Sequence, residues 1–154
     1  MGRAQGRLSQ GIVLLDSEGL NKFIDNDPRV VGLIRTAQSK DALVAVSNLT
    51  LIEAWHSKVR MDRFRRHVSR LEVLPVTEGI TWRAIDLLRN ANLHGHKYAI
   101  DFVVAATALD HAGPRIVVTS DVDDINKLCG DRVRAVGVRA VESSQASPRD
   151  HVTR

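Results

Sequence analysis

The chain has 154 residues, 44% of them hydrophobic and 26% charged, the balance of a single soluble domain able to bury roughly 70% of its unfolded surface. No apolar run approaches the roughly 20 residues of a membrane span, and the polar, basic start Met1-Gly2-Arg3-Ala4-Gln5-Gly6-Arg7 lacks the hydrophobic stretch of a secretion signal, so a cytoplasmic protein is expected. The single Cys129 excludes an internal disulfide or a Cys-rich zinc site, and a formal charge of +4 favours a polyanionic partner such as nucleic acid.

Residues 1–11 read as a flexible lead-in and 143–154 as a disordered tail, since neither end offers enough apolar surface to order it. The first strand, 12–16, is a run of Ile12, Val13, Leu14 and Leu15 closed by Asp16. Asp27-Pro28 pairs a helix cap with proline at the first helical position and opens a helix over 28–39. Strand 43–47 leads through Ser47, read as a cap, into a helix over 47–57 that carries Glu53. A basic helix follows at 59–70, then a strand at 71–75. Thr77-Glu78 opens the helix 78–92, where Ile80, Ala84, Leu87, Leu88 and Ala91 form one apolar stripe to which Trp82 also belongs. The segment 92–98 reads as a flexible loop carrying His94 and His96. Asp101 then opens a helix over 101–112 that is apolar nearly all round and therefore central. Gly113-Pro114 stops it before strand 116–120, which Asp121 closes. A short helix at 123–129, with Cys129 as a packed small hydrophobe, precedes the last strand, 133–138. Continuous apolar strands are those buried on both faces, as in a parallel sheet. Their alternation with helices predicts one α/β domain over 12–142.

Within this framework Asp16, Glu53, Asp101 and Asp121 stand at the edges of apolar segments, where an uncompensated carboxylate costs desolvation free energy. In open α/β sheets ligands bind beyond the carboxyl ends of the strands, and Asp16 and Asp121 occupy two such ends. Each acid also has an ordinary use. Asp16 and Asp121 suit helix caps, Asp101 suits a helix N-terminus, and Glu53 suits a solvated helix face. Glu53 fits that use least well, being surrounded by Leu49, Leu51, Ile52, Ala54 and Trp55.

Four segments carry a more specific pattern: Ile12-Val13-Leu14-Leu15-Asp16-Ser17, Leu51-Ile52-Glu53-Ala54-Trp55, Ala99-Ile100-Asp101-Phe102-Val103-Val104-Ala105-Ala106-Thr107-Ala108 and Ile116-Val117-Val118-Thr119-Ser120-Asp121-Val122-Asp123-Asp124-Ile125. In this order, over about residues 12 to 138, the chain resembles the PIN-domain family, and within it the VapC-like ribonuclease toxins of type II toxin–antitoxin pairs. The resemblance implies a three-layer α/β fold with a central, mostly parallel five-stranded sheet flanked by helices. It also implies a metal-dependent endoribonuclease inhibited by a cognate antitoxin and assembled as a homodimer. Carried over residue by residue, Asp16, Asp101 and Asp121 hold Mg²⁺ or Mn²⁺, and Glu53 shares the cluster as a further catalytic acid. Asp124 matches a less uniform acid, with Asp123 as the second choice, and Thr119 matches a hydroxyl beside the metal. Such a set suits phosphodiester hydrolysis, which needs an activated water and neutralisation of phosphate charge. Without metal, clustered carboxylates repel and at least one pKa rises. The alternative is a non-catalytic RNA- or protein-binding module of the same fold, which the four intact acids argue against.

The stretch Lys58, Arg60, Arg63, Arg65, Arg66 and Arg70 reads either as a phosphate-binding or partner-binding surface or as a solvated helix face. Trp55 and Phe64 read as core or interface anchors. No dinucleotide-binding glycine motif, P-loop or nucleophile elbow is present.

Overall fold

The computed structural model describes residues 10–138. Five strands form one sheet in the order β3-β2-β1-β4-β5: β1 (Ile12–Leu15), β2 (Leu43–Ser47), β3 (Glu72–Leu74), β4 (Arg115–Thr119) and β5 (Arg134–Gly137). Each pairing is parallel, so the mostly parallel sheet expected from sequence is wholly parallel among the described residues. The first strand lies at the centre, with Leu15 opposite Val46 on one side and Val118 on the other. From β1 the chain builds outwards to β3, then crosses back to place β4 and β5 on the opposite side. The reversal therefore falls between the carboxyl ends of β1 and β4, the crevice where open α/β sheets bind ligands.

Among the described residues seven α-helices accompany the sheet: α1 (Ser17–Ile24), α2 (Pro28–Ser39), α3 (Asn48–Ala54), α4 (Met61–Val68), α5 (Glu78–Ala91), α6 (Gly95–Leu109) and α7 (Val122–Cys129). Successive side chains of a strand point to opposite faces. Val13 and Leu15 pack with Leu20 and Phe23 of α1, Ile34 of α2 and Phe64 of α4. Ile12 and Leu14 pack with Val104, Ala105 and Ala108 of α6 and with Ile125 and Cys129 of α7. Burial on both faces explains why β1 is an unbroken apolar run. α5 covers the outside of α6, laying Ile80 and Ala84 against Phe102, Val103 and Ala106. No helix among the described residues is long and apolar enough to cross a membrane.

The local signals act largely as read. Asp27 accepts from the N–H groups of Arg29 (3.0 Å) and Val30 (3.4 Å), and Thr77 accepts from Ile80 (3.2 Å). Cys129 is buried, and burial pushes its thiol pKa up, in keeping with a packing role. Several expectations need correction. α1 has no counterpart in the sequence reading, because eight residues containing Gly19 and Asn21 give too short a period to register. Ser47 holds the cap position of α3 but makes no capping bond, and its hydroxyl is buried. Trp82 is 59% exposed and lies outside the α5 stripe; of the two expected core or interface anchors, Phe64 is core, while Trp55, 47% exposed, is not.

The largest correction concerns α6, which begins at Gly95 and not at Asp101. Asn92 adopts the left-handed conformation (φ 54) that ends α5. The reversal is complete by His94, so His94 and His96 open a helix and do not sit in a flexible loop. The first turns of α6 stand clear of the core, and continuous burial starts only at Phe102. Asp101 thus marks the level at which α6 enters the protein. Residues 1–9 of the expected lead-in, the tail 143–154 and the end of the expected domain beyond 138 lie outside the described residues. At the other limit, the buried Gly11 is already fixed, its carbonyl accepting from the Leu43 N–H (3.0 Å).

Candidate active site

β1 and β4 are neighbours, so the acids that close them come together by register alone. The backbone N–H of Asp16 still bonds to Val118 of β4 (3.0 Å) before the chain turns into α1. The Asp16 carboxylate then caps that helix, accepting from the Gly19 N–H (2.9 Å). The neighbouring Thr119 hydroxyl and Ser120 N–H also favour its charged form. Thr119, only 2% exposed, accepts in turn from the backbone N–H of Asp121 (2.9 Å). One buried hydroxyl therefore holds the backbone of Asp121 and favours the charged form of Asp16. Gly19 permits this closeness: a Cβ there meets the Val118 carbonyl oxygen at 2.8 Å. Asp121 occupies the cap position of α7 without capping it, which leaves its exposed carboxylate without the ordinary use open to it.

Asp101 approaches from the other side of the sheet, on α6, which packs against β1, β2 and β4. Much of its side chain meets solvent, yet its pKa is raised to about 6. Burial of the carboxyl leads, followed by the negative charges of Glu53, Asp121, Asp16 and Asp124. The Asp16 pKa is raised as well, chiefly by burial, against the lowering effect of its hydrogen bonds. Asp101, interior to α6, is not a helix-terminus acid. Glu53 is exposed on α3, where its Oε1 accepts from the Ser17 hydroxyl (2.9 Å). The other four acids of the expected set, Asp16, Glu53, Asp121 and Asp124, thus come from separate parts of the chain to within electrostatic reach of Asp101. Asp124, on the first turn of α7, belongs to the charges acting on Asp101. Ser17 is the residue that sequence reasoning missed. It follows Asp16 directly, but its partner stands 36 positions away, and no local spacing reveals such a pair.

The donor set fits a hard divalent cation. All of the converging groups are carboxylate oxygens, and their mutual repulsion shows in Asp101. The ion pairs observed, Arg60–Asp62, Arg66–Asp62 and Arg89–Asp86, lie elsewhere. Among the described residues no three acid, His or Cys side chains stand close enough to grip one ion directly. Mg²⁺ tolerates such an arrangement, because it keeps several waters and takes few direct carboxylate ligands.

Half of the basic stretch, Arg63, Arg65 and Arg66, falls on α4, with Lys58 and Arg60 before it and Arg70 after it. Arg60, Arg63 and Arg66 line a recess of about 480 Å³ with Asn26 and the buried His67. Asn26 follows the last turn of α1, whereas the acids cluster at its start. Eight residues of helix separate the two, a length of about 12 Å.

The PIN domain family model matches residues 13–130. A search of the curated proteins found no match. Among solved structures, VapBC2 from Rickettsia felis, bound to a DNA fragment from its promoter, superposes with a TM-score of 0.61 at 16% identity, covering 82% of this chain and 98% of that one. A toxin–antitoxin complex from Klebsiella pneumoniae gives a TM-score of 0.57 at 18% identity, covering 80% and 95%. The parallel five-stranded sheet, the acids gathered at its switch point and the match over most of the chain agree: this protein belongs to the PIN-domain family.

Proposed function

We propose that the protein is an endoribonuclease dependent on Mg²⁺ or Mn²⁺, and the cytoplasmic toxin of a toxin–antitoxin pair. The observation that carries this reading is the crowding of Asp16, Glu53, Asp121 and Asp124 around Asp101 at the sheet's switch point, in a chain whose formal charge is +4. Asp16, Asp101 and Asp121 are assigned to hold the metal, with Glu53 as a further acid and Asp124 at the margin. Once bound, the ion supplies Lewis acidity and an activated water for phosphodiester hydrolysis.

The chain's own residues prepare the site. The Thr119 hydroxyl favours the charged form of Asp16, while its oxygen fixes the turn that presents Asp121. The Ser17 hydroxyl restrains Glu53 towards the strand end. The guanidinium groups of Arg60, Arg63 and Arg66 offer charge for the phosphates of a bound strand. RNA as substrate, a cognate antitoxin and a homodimer rest on the VapC-like resemblance and on the fold shared with the two toxin–antitoxin structures. Ile52 and Trp82, 74% and 59% exposed, give such partners apolar surface to cover.

The test is cleavage and gel-shift binding of a structured RNA with Mg²⁺, with Mn²⁺ and with chelator. Cutting only in the presence of metal is expected. RNA that is bound but never cut under any metal transfers the reading to the non-catalytic binding module.

A further inference from the structure

A cleft between α5, α6 and α7 opens beside the acids, and apart from Asp101 and Asp124 its lining has no part in the reading above. It measures about 400 Å³, room for a nucleoside, and Asp101 belongs to its lining as well as to the acid cluster. Leu93 and Leu128 supply aliphatic walls, Phe102 is buried, and Tyr98 is half-buried between helix and solvent. Tyr98 meets Phe102 edge to face, with ring centroids 6.3 Å apart and an interplanar angle of 60°. Lys97, outside the lining, holds its ammonium 5.3 Å from the Tyr98 centroid. The tyrosine ring is therefore steadied from two directions. Lys127 and Asp124 add one donor and one acceptor.

We propose that this cleft seats an RNA base adjoining the scissile phosphate, with Tyr98 as its stacking surface. The choice of ligand rests on the ribonuclease reading. The shared Asp101 makes the cleft continuous with the acid centre, so a strand whose phosphate lies there carries a neighbouring base to the cleft mouth. An unstacked base is recognised by an aromatic face together with polar groups at its edge, and the cleft offers both. The more exposed Trp82 does not compete for this role. It lines a different recess with Leu109, and Leu109 stands eight residues of α6 from Asp101, about 12 Å away.

The experiment is a titration of metal-free protein with AMP, CMP, GMP and UMP, followed by backbone amide NMR, for the parent, Tyr98→Phe and Tyr98→Leu. Saturable shifts at Leu93, Tyr98 and Leu128 are expected. Tyr98→Phe keeps the ring and binds like the parent. Tyr98→Leu keeps the apolar contact but loses the stack and binds about tenfold more weakly. The spectra themselves show whether each variant is folded. Absence of shifts in the cleft, or equal affinity of Tyr98→Leu and the parent, overturns the proposal. So does binding of N-acetylphenylalaninamide where no nucleotide binds, which assigns the cleft to a protein segment. Because no cleavage is needed, failure here is distinct from failure of the ribonuclease reading, which the cutting assay reports.

Discussion

Thr119 is the residue on which both strand-end acids depend. Thr119→Val keeps the shape but leaves the Asp121 N–H without its acceptor and removes the hydroxyl that favours the charged form of Asp16. Thermal or denaturant unfolding is expected to show a loss of about 1–3 kcal/mol, the penalty of an unsatisfied buried group. Metal-dependent cleavage is expected to fall by about 10–100-fold, as when a ligand loses its orienting partner. Asp101 makes a prediction about pH. Its carboxyl titrates at about 6 in the folded chain against a reference value of 3.8. Below 3.8 both states are protonated and the shift has no effect on stability. Between 3.8 and about 6 only the folded state holds the proton, so stability falls as pH rises through this window and the full penalty applies above it. Asp16 acts in the same direction. In metal-free buffer Asp101→Asn should therefore melt above the parent at pH 7.5, with the gap narrowing towards pH 4.5. Solvent screening at this exposed side chain keeps the effect modest. A gap independent of pH contradicts the crowding of charge inferred at the site.

At the level of elements, α1 couples the fold to the site. Its first turn lies so close to β4 that Gly19→Ala drives a methyl against the Val118 carbonyl. Overpacking of this kind costs about 1–3 kcal/mol, measurable by denaturant unfolding, and it displaces the turn that Asp16 caps. The same helix shows where sequence reading stops. The inner strands β1, β2 and β4 were legible because burial on both faces leaves apolar runs, the edge strands β3 and β5 only from the apolar residues around the exposed Glu72 and Arg134, and Asp16 and Asp121 as strand ends. The caps Asp27 and Thr77 were legible because each acts within three residues. α1 was not, being too short to show a period. The start of α6 was misplaced because its first turns are solvated and carry no apolar stripe, so the apolar run appeared to begin at Asp101. Ile52 and Trp55 looked like core surroundings for Glu53, yet α3 lies at the rim and exposes all three. The Ser17–Glu53 bond belongs to tertiary packing, which no local pattern encodes.

For the molecule as a whole, charge is divided between two ends of α1: carboxylates where it begins, guanidinium groups where it meets α4. A polyanion drawn to the basic recess thereby reaches towards an acidic centre that a divalent cation makes attractive. Replacing Arg63 and Arg66 by Ala should weaken RNA binding and flatten its dependence on salt by about one to two units of log–log slope. Single-turnover cleavage at saturating protein should remain near the parent rate. The central claim is that acids from separate elements act as one metal centre that cuts RNA. Its most direct test is single-turnover cleavage as Mg²⁺ is varied, for the parent, Asp16→Asn, Asp101→Asn and the double variant. Groups that work as a unit are non-additive, so each single change should abolish most of the metal-dependent rate and the double variant should be no slower than the slower single one. Parent cleavage that persists in chelator, or single losses that multiply in the double variant, contradict it.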